Sequence, residues 1–174
     1  MNTGNEIFLM DSNTFITPYH QYYAFDLVPA YWNQLITHIN SGKIVVLDVV
    51  KNELIKGNDD LTTWINGLSG LQVISTHDQG TMNCYARVIQ YLQTCGFYKF
   101  NAVNTWSQVT VADPWLIASA MKNCYTLVTE EKPSGGLNKK QPNSSAKIPD
   151  VARGLGVPTI DIFAMMRRLD IVIR

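Results

Sequence analysis

The residues of this chain best suited to chemistry are its carboxylates. Asp11 follows the apolar run Ile7-Phe8-Leu9-Met10, and Glu53 lies a turn or more into the stretch after Ile44-Val45-Val46-Leu47. Asp113 precedes Pro114 at the start of a helical pattern, Glu130 and Glu131 follow Tyr125 to Thr129, and Asp150 follows Pro149. Short apolar runs ended by an acid read as buried strands with the acid at the carboxyl end. In open α/β sheets that end lines the crevice where ligands bind, so acids far apart in sequence would converge on one pocket. Converging carboxylates repel one another and lose hydration, and a hard divalent cation offsets that cost. Mg²⁺ and Mn²⁺ prefer oxygen ligands. Either ion can polarise a phosphoryl oxygen and lower the pKa of a bound water. The chemistry expected of this set is metal-assisted hydrolysis of a phosphodiester or phosphate.

Other chemistries find little support. His20, His38 and His77 show no HxxxH or HExxH spacing, and Cys84, Cys95 and Cys124 form no CxxC pair. That argues against zinc and against a disulfide framework. Gly135-Gly136 lacks the order of a nucleotide-cradling glycine loop. Asn13 stands where an aspartyl-phosphate phosphatase would carry its second aspartate.

The elements that must position the acids alternate in type. Strands are expected at 7–10, 44–47, 125–129 and 157–160, with a weak one at 71–74. A helix from Pro29 carries Tyr31, Trp32, Leu35, Ile36 and Ile39 on one face and stops at Ser41-Gly42. Helices follow from about Asp48 to Gly57, Asp59 to Gly67, and Gln79 to Cys95, the last with Met82, Ala86, Ile89 and Gln93 along it. Asp113 at the cap with Pro114 behind it starts a helix running to about Asn123. A short helix opens at Asp150 and another spans Asp161 to Leu169. Residues 17–28 read as a loop or irregular helix, and 96–111 as irregular. Strands alternating with helices predict an α/β fold, a parallel sheet covered on both faces.

The chain has 174 residues, 46% of them hydrophobic and 16% charged, which fits one globular domain over 1–174. Its apolar stretches are far shorter than the roughly 20 residues a spanning helix needs, and Met1 to Glu6 carries no signal pattern. A cytoplasmic protein with no membrane partner is expected. The formal net charge is zero, yet six bases and eleven acids lie in residues 1–131 and eight bases and three acids in 132–174. Neutrality is a cancellation between an acidic stretch and a basic one.

Several segments, taken in order, resemble the PIN-domain ribonuclease family, the fold of VapC-type toxins, in a PIN-like subfamily of unknown function. They are Phe8-Leu9-Met10-Asp11-Ser12-Asn13-Thr14-Phe15-Ile16, Val49-Val50-Lys51-Asn52-Glu53-Leu54, and Ala112-Asp113-Pro114-Trp115-Leu116-Ile117-Ala118-Ser119-Ala120. Thr126-Leu127-Val128-Thr129 with Glu131 two residues on, Lys147 to Val151, and Gly156 to Ile160 complete the set. The resemblance implies a three-layer PIN-like fold with a central, mainly parallel sheet flanked by helices. It implies a Mg²⁺- or Mn²⁺-dependent endoribonuclease whose metal-activated water hydrolyses RNA, leaving a 3′-hydroxyl and a 5′-phosphate. It further implies the toxin of a toxin–antitoxin pair, with an antitoxin protein as partner and a homodimeric state. Carried over residue by residue, Asp11, Glu53 and Asp113 are the metal-binding acids. The fourth is Glu131, at the family's Thr-x-Asp step after Thr129, or else Asp150. Ser12 or Thr14 would place a hydroxyl near Asp11, and Thr129 is a further supporting residue.

Simpler roles compete at each position. Asp113, Asp48, Asp150 and Asp161 could cap helices, Glu53 could be an exposed helical residue, and Asp11 a turn residue. The loop from Lys132 to Lys147 is either a phosphate-contacting loop or a solvated one. Tyr19 to Phe25 and Phe97 to Trp106 could stack bases, though core packing or a dimer surface suits such aromatics better. A catalytically inactive PIN-like module that binds RNA or protein is the alternative to an enzyme, kept open by the Glu at position 131.

Overall fold

The computed structural model describes residues 6–173. Its five-stranded sheet runs in the order β3-β2-β1-β4-β5. The strands are β1 (Phe8–Met10), β2 (Ile44–Leu47), β3 (Gln72–Ile74), β4 (Thr126–Val128) and β5 (Thr159–Ile160). β1 pairs parallel with β2, Phe8 opposite Ile44, and β2 parallel with β3, Val46 opposite Val73. Leu127 and Thr129 donate from their amides to the carbonyls of Pro158 and Ile160, the two-residue stride of a parallel ladder. The expected α/β class with a parallel sheet is therefore the observed one. Successive strands step from β1 out to β3, then return to β4 on the other side of β1. The carboxyl end of β1 is thus a topological switch point, the place where such sheets bind ligands.

The described residues divide into two compact units, one comprising 6–75, 128–130 and 160–173 and the other 76–127 and 131–159. In the first, β1 and β2 are fully buried, as their unbroken apolar runs require. β3 is a largely exposed edge strand, which explains its weak pattern. A helix not expected from the pattern, α1 (Asn13–Thr17), leads into a π-helical turn at Pro18–Tyr22, the irregular helix that was one of the two readings of 17–28. α2 (Pro29–Asn40) buries Tyr31, Trp32, Leu35 and Ile39, each such side chain stabilising the fold by about 1.5–3 kcal/mol. α3 (Asp48–Leu54) and α4 (Asp60–Gly67) follow β2, and α9 (Ile162–Arg168) ends the unit. Phe25 lies 4.5 Å from Trp32 between ring centroids, and Trp32 lies 4.8 Å from Trp64. The Trp32 indole nitrogen donates to the Tyr23 carbonyl at 2.6 Å. The aromatic segment 19–25 thus packs on its own unit, as its composition favoured.

The second unit holds α5 (Gln79–Thr94), α6 (Phe100–Trp106), α7 (Ala112–Asn123) and α8 (Ile148–Gly154). α5 buries Thr81, Val88 and Leu92. Its inward face is turned by about one residue from the Met82, Ala86, Ile89 and Gln93 face expected, and Met82 is exposed. A polar helix with scattered apolar residues supports two faces almost equally, and packing chose between them. α7 is buried on nearly all sides, and its Ala118, Ser119 and Ala120 permit close neighbours. Trp115 of α7 stacks on Tyr85 of α5 with centroids 3.9 Å apart. α6 was unforeseen. Gly154 ends α8 so close to the Tyr91 ring that a Cβ there would collide with it.

Asp78 caps α5. Its carboxylate accepts from the Thr81 hydroxyl at 2.5 Å and the Thr81 amide at 3.0 Å, and pairs with Lys122 at 3.1 Å. The Thr81 hydroxyl, then the Thr81 amide and Lys122, draw this carboxyl down to about 2. A depressed carboxyl contributes stability above its unfolded pKa and loses it as pH falls through the folded one. Asp78→Asn should therefore melt below the parent at pH 6, and the gap should close as pH falls from about 4 to about 2. Thermal melts of both proteins across that range check this, and a gap that persists at pH 2 would show that charge plays no part in the cap.

Candidate active site

Asp11 stands one residue beyond β1, where the parallel strand ends, and is only 4% exposed. Its backbone is fixed from both directions. The amide donates to the Val128 carbonyl at 3.0 Å, and the carbonyl accepts from the Thr14 amide at 3.0 Å and the Thr14 hydroxyl at 2.5 Å. Oδ2 accepts from the Thr129 hydroxyl at 3.0 Å, and Oδ1 from the Ser12 hydroxyl at a long 3.4 Å. Thr129 follows β4, so the ends of two neighbouring strands orient one buried carboxylate. Of the two hydroxyls expected near it, Ser12 reaches the carboxylate and Thr14 holds the backbone instead. Thr129 makes the shorter contact.

Glu53, in the last turn of α3, is half-buried and belongs to the same unit as Asp11. Asp113, Glu131 and Asp150 belong to the other. Asp113 is half-buried in the first turn of α7, whose cap position falls to Val111. The helix starts earlier than Asp113-Pro114 indicated, so this acid is not the N-cap. Its position in the first turn still suits a negative charge.

The two candidates for a fourth acid both make structural bonds. Glu131 accepts from the Ile148 amide at 2.8 Å and from Lys147 at 3.0 Å, satisfying an open amide at the start of α8. Asp150 is 1% exposed. It accepts from the Ser134 amide at 2.9 Å, the Ser134 hydroxyl at 2.7 Å and Arg153 at 3.0 Å. Asp150 is inside α8 and pins the loop, rather than capping the helix. Glu130, unassigned from sequence, accepts from the Ile162 amide at 3.2 Å at the start of α9, whose N-cap is Asp161. Nothing local marks Ser134 or Glu130 for these roles, because their partners lie sixteen and thirty-two residues away.

Among the described residues no group of three or more His, Cys, Asp or Glu side chains is drawn together for a metal. The donors at the β1 switch point are nonetheless carboxylate and hydroxyl oxygens, the type a hard cation takes. Mg²⁺ keeps several waters and is commonly held by one or two carboxylates, so a closed cage of acids is not required. The donor chemistry fits Mg²⁺ or Mn²⁺.

No helix among the described residues is long and apolar enough to cross a membrane. No curated protein matches the sequence. Among solved structures, the chain is similar to one from VapBC2 of Rickettsia felis, determined bound to a DNA fragment from their promoter. The TM-score is 0.55 at 15% identity, over 89% of this chain and 98% of that one. That likeness is one of fold, and it supports the PIN-like architecture expected from the ordered motifs. A family model matches residues 8–173, nearly all that the structure describes, and the chain belongs to that family, described as a domain of unknown function (DUF4411).

Proposed function

We propose that the chain is a metal-dependent endoribonuclease of PIN type and the toxin of a toxin–antitoxin pair. The observation that carries this reading is the buried Asp11 carboxylate at the β1 switch point, oriented by Thr129. Burying an acid is costly, and a fold tolerates it where the carboxylate has work to do or partners to satisfy it. In this reading Asp11, Glu53 and Asp113 hold Mg²⁺ or Mn²⁺, with Glu131 or Asp150 as a fourth acid. The ion, when bound, supplies Lewis-acid stabilisation of charge on the phosphoryl oxygens. Asp11 presents an anionic oxygen whose direction is set by the Thr129 hydroxyl, and Ser12 steadies the other oxygen. Thr14 keeps the turn after β1 from shifting. The similarity to a chain of VapBC2 supports an antitoxin partner; a homodimer and a cytoplasmic location complete the proposal.

The test is direct. The full chain, incubated with labelled single-stranded RNA and Mg²⁺ or Mn²⁺, should release fragments with 5′-phosphate and 3′-hydroxyl ends, and EDTA should stop the reaction. RNA left intact under both ions would refute the enzyme. A specific observation favours the second reading, a PIN-like binding module without catalysis: Glu131 and Asp150 both hold the loop and α8 together. Calorimetric titration with Mn²⁺ separates the two, since a module that lost its chemistry would show no binding at millimolar ion.

A further inference from the structure

The basic loop does not hang free of its unit. Tyr98 and Asn143 form a parallel bridge. The Asn143 amide donates to the Phe97 carbonyl, and the Lys99 amide to the Asn143 carbonyl, both at 2.8 Å. The Asn143 side chain reaches the Ser134 hydroxyl at 3.1 Å, and Ser134 is held by Asp150. The loop is thereby fastened to the segment entering α6. Lys139 comes to lie over the Phe97 ring, 5.3 Å from its centroid, where ring and ammonium attract.

This fastening composes a surface. Lys99, Lys139 and Lys140 are exposed on it. Phe100, the first residue of α6, is 84% exposed. Neither 96–112 nor 132–149 contains an aspartate or glutamate. The two segments therefore bring lysines and no carboxylates of their own, and one of them carries an exposed aromatic ring. Lysines of this kind neutralise phosphates, and an exposed ring offers a platform for an unpaired base. A duplex hides its base faces in its own stack and cannot use Phe100. An acidic peptide would match the lysines and leave the ring unused.

We infer that this patch, built from Phe97, Lys99, Phe100, Lys139 and Lys140, grips single-stranded RNA. The inference rests on the ribonuclease reading for the identity of the strand. Its geometry lies wholly within the second unit and does not depend on Asp11, Glu53 or Asp113.

The experiment is fluorescence anisotropy of the full chain with a labelled oligouridylate of about 12 nucleotides, in EDTA so that no cleavage occurs. Phe100→Ala should weaken binding about tenfold with the salt dependence unchanged. Lys139→Gln with Lys140→Gln should flatten the slope of log affinity against log salt by about 1.4. All three side chains are exposed, and melting curves confirm that the variants fold. Parental affinity in both variants would overturn the inference, as would equal binding of an RNA duplex or of the matching DNA strand. Competition by polyglutamate as effective as by unlabelled RNA would also overturn it, in favour of an acidic protein. Cleavage in Mg²⁺ is scored separately. Patch-dependent binding without cleavage refutes the enzyme and leaves the patch standing; cleavage with both variants binding normally does the reverse.

Discussion

Asp11→Asn should fold as the parent does and cleave RNA about a thousandfold more slowly. The amide has the shape of the carboxylate, and its oxygen can still accept from Thr129, so the buried turn after β1 keeps its partners. What disappears is the negative charge. If that charge holds a divalent ion, the loss falls on the chemical step rather than on stability. Thr129→Val gives a second, graded reading. It preserves shape and removes only the hydroxyl, and loss of such an orienting group costs about ten- to a hundredfold. Single-turnover cleavage rates beside melting curves make the comparison. Asp11→Asn cutting RNA at the parental rate would sink the assignment. Asp11→Asn melting far below the parent would move Asp11 from chemistry to architecture. The same pair of measurements on Glu53→Gln and Asp113→Asn decides whether those acids act with Asp11.

The second large effect is one of stability. Asp150→Ala should destabilise the protein by about 2–4 kcal/mol. The carboxylate is buried, and its removal takes a charged acceptor from the Ser134 amide and hydroxyl and leaves a hole beneath the loop. Arg153 contributes little, because its side chain is 68% exposed and water can replace its partner. Denaturant titration measures the loss. Because Ser134 also meets Asn143, the loop should loosen with it, and exchange of the Lys99 and Asn143 amides should quicken. Asp150→Asn sharpens the result: a variant that melts like the parent yet fails to cleave would make Asp150 the fourth metal acid. A stability loss with cleavage retained by the folded fraction leaves that place to Glu131.

Much was legible in the chain itself, for local reasons. Phe8-Leu9-Met10 and Ile44-Val45-Val46-Leu47 have no polar face, so they could only be strands buried on both sides. Asp161 precedes a helix that it caps, because a cap acts within three residues of itself, whereas Asp48, also read as a cap, lies in the first turn of α3 behind Leu47. Asp11 drew attention because it stands at the carboxyl end of an apolar strand, where open α/β sheets bind ligands. Alternation of strand and helix carried the parallel sheet, and the ordered motifs carried the PIN-like fold.

Other choices were made only when distant segments met. The inward face of α5 depended on packing, since its own pattern is too weak to select Thr81, Val88 and Leu92. The start of α7 at Ala112 displaced Asp113 from the cap its sequence advertised. Ser12, Thr14 and Thr129 were all read as supporting residues, yet only the fold shows that Thr129, 118 residues away, makes the short bond to the Asp11 carboxylate while Thr14 holds the backbone. Glu131 and Asp150 looked like rival ligands, and each proved to have a structural partner sixteen or seventeen residues off. Residue type and local spacing determine which groups are able to do chemistry and which strands and helices carry them. Which hydroxyl faces which carboxylate, and which acids serve the fold, depends on hydrogen bonds that close long loops, and those exist only in the folded chain.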